Sequence, residues 1–395
     1  MTDHQFKSKH FLLLNLGHAL NHYLILVFPT VALFLVDVWG MSYSDLLKLG
    51  SVGVLAYGAG ALPAGWLADR YGRSKLMTVF FVGIGASSVL AGQADTPVQL
   101  MVAVSLLGLF ASIYHPVGIA MVYEASSRPG RLLAINGVAG NLGLAAAAGM
   151  TTVLAQHWGW GSAFVVPGIV SIVLGITYMR IHKNAETVYS APTSTTNLQR
   201  SVNNMPRIFF CIAIVAVCGG LVFNSLTTAL PKILAEQNGG QLLSLTAVGG
   251  IATAILVFAS CAQLIVGELL DRYTPEVLLT AMVSLQILAL LAAILFASPI
   301  IPLAAALFLT FGQIPINDLM IGKNSSNEWR SRFYAMKYSL GLGVASIAYW
   351  LIAVTHDIGN GFGPMYSVLV LSMTFALLAA FALIALNRDP EKSTA

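Results

Sequence analysis

The stretch Gly65-Trp66-Leu67-Ala68-Asp69-Arg70-Tyr71-Gly72-Arg73-Ser74-Lys75 carries four charges in eleven residues, in a chain of 395 residues of which only 9% are charged. It sits in the seam between two apolar runs, 46–68 and 76–93. Gly72 permits the backbone reversal that a short connection between two long helices demands. Gly65 is expected to let a neighbouring helix come close.

The composition around this seam is that of a membrane protein. Hydrophobic residues make up 57% of the chain and the mean hydropathy is +0.79, whereas a soluble domain has about a quarter of its residues charged. Apolar runs of about 20 residues, each long enough to cross roughly 30 Å of hydrocarbon as a helix, recur from end to end. They lack the ten-residue alternation of a barrel, so helices satisfy the backbone. Twelve spans are expected, at 11–36, 46–68, 76–93, 98–122, 132–155, 162–180, 208–230, 243–267, 276–297, 300–322, 334–355 and 364–386. The fold class is therefore an all-α polytopic membrane protein with no room for a sizeable soluble domain. The first run is too long for a signal-peptide core and is expected to remain as the first helix.

Lys and Arg in short loops stay on the cytoplasmic side. With both termini cytoplasmic, all of the 20 Lys and Arg except Lys48 and Lys232 fall on that side or at its interface. The net charge of +4 then reflects topology, and no nucleic-acid partner is expected. Cys211, Cys218 and Cys261 all fall within spans, without the paired spacing of zinc or redox sites, and are expected to be packing residues.

The polar interval 182–206 separates two halves, 1–181 and 207–395, read as six-helix bundles joined by a cytoplasmic linker. A shift of 202 residues sets Gly65, Asp69, Arg70 and Tyr71 on Gly267, Asp271, Arg272 and Tyr273, Pro29 on Pro231, and His22 on Asn224. Parallel repeats of this kind characterise one large class of secondary transporters. On the Gly65-x-Leu67-Ala68-Asp69-Arg70-x-Gly72-Arg73 motif, the span count and the repeat, the chain resembles the major facilitator superfamily. Gly17-His18-Ala19-Leu20-Asn21-His22-Tyr23 and Tyr114-His115-Pro116 further resemble its fosmidomycin-resistance-like branch, with His22 standing where that branch has an aspartate.

The resemblance implies two pseudo-symmetric halves and a gate. Asp69, at the cytoplasmic end of its helix, is expected to face the start of span eleven near Tyr334 and lock the cytoplasmic side, because a carboxylate is favoured at a helix N-terminus. Arg70 and Arg73 are expected to strengthen the lock through Glu124, with Arg131 close by. The second copy, Asp271 and Arg272, lacks the following glycine and arginine and should form a weaker one.

Spans one, four, seven and ten line the pathway in this superfamily, and here they carry Asn15, His18, His22, Tyr114, His115, Asn224, Gln313, Asn317 and Asp318. Polar groups at membrane depth are functional candidates by default. Asn15, His18 and His22 share one helical face. His18, His22 and His115 are the expected proton carriers, since histidine titrates near neutrality. Asp318 is either carrier or gate. No Cys, Asp or Glu supports the histidines at mid-depth, so neither a metal nor a cofactor is expected, and without a buried arginine a strongly anionic solute fits less well than a neutral, zwitterionic or cationic one.

The expected function is a secondary active transporter moving a small organic solute by alternating access, proton-coupled, with efflux favoured on the branch resemblance. The alternatives are an uptake carrier for a metabolite or siderophore-like compound, and a non-transporting receptor or scaffold. An enzyme is not expected: there is no carboxylate dyad, nucleophile–base pair or metal-ligand set. The implied partners are the solute, protons and lipid, and the expected state is a monomer in a bacterial inner membrane.

Overall fold

The computed structural model describes residues 3–124, 130–182, 205–236, 244–296, 298–324, 327–359 and 361–387. These residues are nearly all helical: α1 Asp3–Trp39, α2 Tyr43–Tyr71, α3 Arg73–Gly92, α4 Pro97–Ala111, α5 Ile119–Glu124, α6 Gly130–Trp158, α7 Ser162–His182, α8 Met205–Glu236, α9 Leu245–Leu269, α10 Pro275–Leu295, α11 Ile300–Asn324, α12 Asn327–Gly359 and α13 Gly363–Asn387. A π-helical turn, Tyr114–Gly118, joins α4 to α5. Twelve spans among the described residues are long and apolar enough to cross a bilayer, including Pro97–Tyr123 through the π turn and Ser339–Ile358.

Local sequence explains the helix ends. Ser42 caps α2 by accepting from the Asp45 amide at 3.0 Å. Thr96 and Gln99 form a reciprocal capping box ahead of Pro97, which needs no amide partner in the first turn. Pro275 opens α10 in the same way. Between α2 and α3 a single residue makes the reversal: Gly72, at φ 95°, closes α2 through its N–H on Ala68 O and begins α3.

Large apolar side chains face outward along the spans, among them Leu62, Trp66, Leu264, Leu295, Leu371 and Phe375. A water-soluble monomer does not expose apolar surface on this scale; lipid covers it at no cost. The chain is an integral membrane protein.

Two compact units are present, Met1–Ser194 with Leu230–Ala254, and Thr195–Ala229 with Ile255–Ala395. Of the expected linker 182–206, residues 183–204 lie outside the described residues, and α8 already begins at Met205. In the first unit α1 packs on α6 and α7, α3 on α7 and α4, and α2 on α4. The first turns of α9 join this unit through Thr253, whose hydroxyl donates to Ala145 O at 2.7 Å and accepts from the Gly149 amide at 3.2 Å. In the second unit α10 packs on α11 and α13, with α12 against both. The repeat falls on corresponding elements: Pro29 is inside α1 and Pro231 inside α8, and Asp69 ends α2 while Asp271 lies in the turn after α9.

Two local expectations are corrected. A Cβ on Gly65 would sit 3.7 Å from Pro116, an ordinary contact, so Gly65 is not where helices need a bare backbone. That role belongs to Gly108, where a Cβ would fall 1.9 Å from the Gly53 carbonyl oxygen and force α2 away from α4. Cys211 and Cys218 are buried, but Cys261 is exposed and is not a packing residue.

Gly72→Ala should destabilise the protein by about 1–3 kcal/mol, the usual cost of holding an L side chain in such a backbone region, while Gly65→Ala, helical and with room, should not. Thermal unfolding of both variants in detergent checks this; equal effects would remove the conformational role assigned to Gly72.

Candidate functional site

The polar residues of α1 and the π turn converge in the first unit. Asn15, His18 and His22 follow one another at helical spacings of three and four, which places them on one face of α1. Opposite them the ladder of α4 is interrupted, because Pro116 has no N–H to donate. The backbone widens into the π turn that carries Tyr114 and His115, an irregularity found often at functional sites.

The His18 ring is oriented from three sides. Its Nδ1 lies 2.7 Å from the Asn136 carbonyl oxygen. A carbonyl only accepts, so Nδ1 carries the hydrogen and Nε2 presents its lone pair. His22 Nε2 is 3.1 Å from His18 Nε2 and donates to it. Tyr114 stacks on His18, with ring centroids 4.7 Å apart, and α6 leaves space at Gly140, where a Cβ would lie 2.7 Å from His18 Nε2. His115 stands edge-on to both partners, 5.4 Å from His18 and 5.3 Å from His22 between centroids. One ring nitrogen from each of the three histidines lies within 4.8 Å of the others.

Behind this cluster is a scaffold. Asn136 spends both side-chain amide hydrogens, one on Asn15 Oδ1 at 3.0 Å and one on the Tyr114 hydroxyl at 2.9 Å. Tyr114 in turn donates to Leu14 O at 2.8 Å and is fully buried. Tyr114 and Asn15 are thus tied to Asn136 and α1 by this network. Asn136 lies on span five, outside the four spans that line the pathway in this superfamily; its signal in the sequence is an asparagine within an apolar run. Asn21 donates to the Tyr57 hydroxyl at 3.0 Å, and Tyr57 borders His115.

In the second unit Asp318, on α11, forms an ion pair with Lys337 of α12. The Lys337 side chain is 15% exposed and that of Asp318 33%. Lys337 lies within the expected span 334–355 and is legible in the sequence as a cation in an apolar run. Asn317 is buried, and its Oδ1 has no hydrogen-bond partner among the described residues. Asn224 donates to Gly220 O on its own helix at 2.7 Å. The Gln313 amide donates to Gln286 Oε1 at 2.6 Å, and Gln286 donates to Thr310 Oγ1 at 2.6 Å. This buried ladder ties α10 to α11.

The expected gate residues lie at helix ends. Asp69 is exposed and 3.9 Å from Arg73, a separation and exposure at which an ion pair contributes less than about 1 kcal/mol. Arg70 lies over the Trp66 and Tyr71 rings at 5.5 and 5.7 Å. Asp271 and Arg272 occupy an exposed turn. The side chains of Glu124 and Arg131 lie outside the described residues.

Tyr114→Phe removes the hydroxyl shared by Leu14 and Asn136. It should lower stability by about 1–3 kcal/mol, the cost of a buried polar group left unsatisfied, as read by thermal unfolding. Unchanged stability would remove the structural role assigned to this hydroxyl.

Comparisons with known proteins agree with this architecture. A family model described as Major Facilitator Superfamily matches residues 12–335. Among curated relatives, a probable 4-methylmuconolactone transporter of Cupriavidus pinatubonensis is 29% identical over 40% of this chain and 39% of its own length. The 4-hydroxybenzoate transporter of Pseudomonas putida is 28% identical over 36% of this chain and 32% of its own length. The aligned part thus spans well under half of either relative. Among solved structures, a bacterial homologue of the human lysosomal transporter Spinster has a TM-score of 0.76 at 15% identity, covering 99% of this chain and 100% of that one. A D-xylose–proton symporter gives 0.73 at 14% identity, covering 94% and 96%. With twelve spans, a repeated helix-end motif and a family match over most of its length, the chain belongs to the Major Facilitator Superfamily, whose members are transporters and not enzymes.

Proposed function

We propose that this protein is a secondary active transporter that carries a small organic acid by alternating access, with the proton as coupling ion. In this reading it works as a monomer in a bacterial inner membrane, with both termini cytoplasmic. The observation that carries the substrate class is the Asp318–Lys337 ion pair. An ammonium with little solvent around it needs a compensating anion. When Asp318 is ionised it provides that anion. When Asp318 takes a proton, Lys337 is left without it, and the carboxylate of a solute restores neutrality. Proton and carboxylate then bind together and are released together. Asn317, adjacent to Asp318 with its buried Oδ1 unpartnered among the described residues, supplies an acceptor for a solute hydroxyl, and Asn224 and the exposed Asp69 keep their proposed places as pathway and gate.

This reading departs from the sequence expectation on two points. Lys337 provides the cation whose absence argued against an anionic solute, and co-binding of proton and carboxylate favours uptake under an inward proton gradient over efflux. In this reading the coupling proton is carried by Asp318 and not by the histidines. Similarity to a 4-hydroxybenzoate transporter supports the substrate class.

Purified protein in proteoliposomes, given radiolabelled 4-hydroxybenzoate as a representative aromatic acid, tests this. Wild type should accumulate label under an imposed pH gradient. Asp318→Asn should abolish accumulation while leaving exchange of internal for external label, and Lys337→Gln should weaken binding at least tenfold, roughly 1.4 kcal/mol. Full gradient-driven accumulation by Asp318→Asn would end the proposed coupling role.

A further inference from the structure

The three imidazoles of the first unit meet in a way that organic-acid transport does not use. His18, His22 and His115 come from two different helical segments, and each brings a ring nitrogen within 4.8 Å of the other two. The His18 Nε2 and His22 Nε2 atoms are 3.1 Å apart. Two imidazoles bound to one tetrahedral ion, with bonds of about 2.0–2.1 Å, stand about 3.4 Å apart. Small side-chain rotations therefore bring all three nitrogens onto one ion.

The surroundings of His18 have the form that metal ligation requires. Imidazoles on a metal donate the other ring N–H to a carbonyl or carboxylate, which fixes the tautomer and aims the lone pair. His18 does this with Asn136 O at 2.7 Å. Asn136 is itself held through its amide by Asn15 and Tyr114, and Tyr114 covers the ring face. Beside the donor atom, the volume that a side chain at residue 140 would occupy is left open by glycine. In the structure His22 Nε2–H donates to the His18 lone pair; ligation uses that lone pair and moves the His22 hydrogen to Nδ1, so no net proton is lost.

Donor chemistry selects the ion. Three neutral nitrogens suit Zn²⁺, Co²⁺, Ni²⁺ or Cu²⁺ and not Mg²⁺ or Ca²⁺, which prefer oxygen. Three protein ligands leave a coordination position open. The cluster contains no carboxylate, so the ion's two positive charges call for an anionic oxygen ligand from outside the protein.

We propose that His18, His22 and His115 form a binding site for a divalent transition-metal ion, with one position open to an anionic oxygen ligand. The site is built from residues of the first unit alone and stands independently of the Asp318–Lys337 reading. Its test requires no transport.

Full-length protein, purified in detergent and stripped with a chelator, is titrated with Co²⁺ and followed by its visible d–d absorption. One Co²⁺ should bind per chain, displaced by Zn²⁺ and not by Mg²⁺. His18→Gln, His22→Gln and His115→Gln should each weaken binding at least tenfold. His10→Gln, which alters the separate His10–His182 pair, should leave binding unchanged. X-ray absorption at the zinc edge of the Zn²⁺-loaded wild type needs no variant and should show three imidazoles at about 2.0 Å. Absence of a saturable Co²⁺ signal, a zinc shell with one imidazole or none, or binding undiminished in all three cluster variants would overturn the proposal.

Discussion

Every structural choice in this protein follows from the absence of water in the hydrocarbon layer. A backbone amide or carbonyl there has no solvent partner, and leaving it unpaired costs several kcal/mol. The chain answers with helical spans of 20 residues or more, and with connections as short as the single residue Gly72 between α2 and α3. Hydrophobic burial does not drive these helices together, since lipid is as apolar as leucine. Close backbone approach, as at Gly53 and Gly108, and shared hydrogen bonds, as between Thr253 and Ala145, do that work instead.

The same scarcity of partners governs the polar side chains. Two of the polar clusters are scaffolding. The Gln313–Gln286–Thr310 ladder closes on itself between α10 and α11. In the Asn136–Asn15–Tyr114 network the Asn136 amide and the Tyr114 hydroxyl likewise donate to protein acceptors. Two other clusters carry titratable groups: the histidine trio, in which His18 is oriented through its Nδ1, and the Asp318–Lys337 ion pair.

The break in α4 links these levels. Pro116 deprives the helix of one hydrogen bond, and the resulting π turn rotates His115 toward α1 while Tyr114 enters the core to stack on His18. The histidine cluster is thus completed at the segment where α4 loses its continuity.

Much of the fold was legible in the chain itself. Apolar run length is a one-dimensional property, so the spans, the seam at residues 65–75 and the repeat at 202 residues were open to reading. So was the shared face of Asn15, His18 and His22, because helical spacing alone sets it. The partners of those residues were not legible. Asn136 orients His18 from 118 positions away, Gln286 claims Gln313, and Lys337 neutralises Asp318. Nothing in local spacing distinguishes an asparagine that braces a ring from one that meets a solute. That distinction depends on which helices pack together and on where a buried donor finds its acceptor, and only tertiary structure decides it.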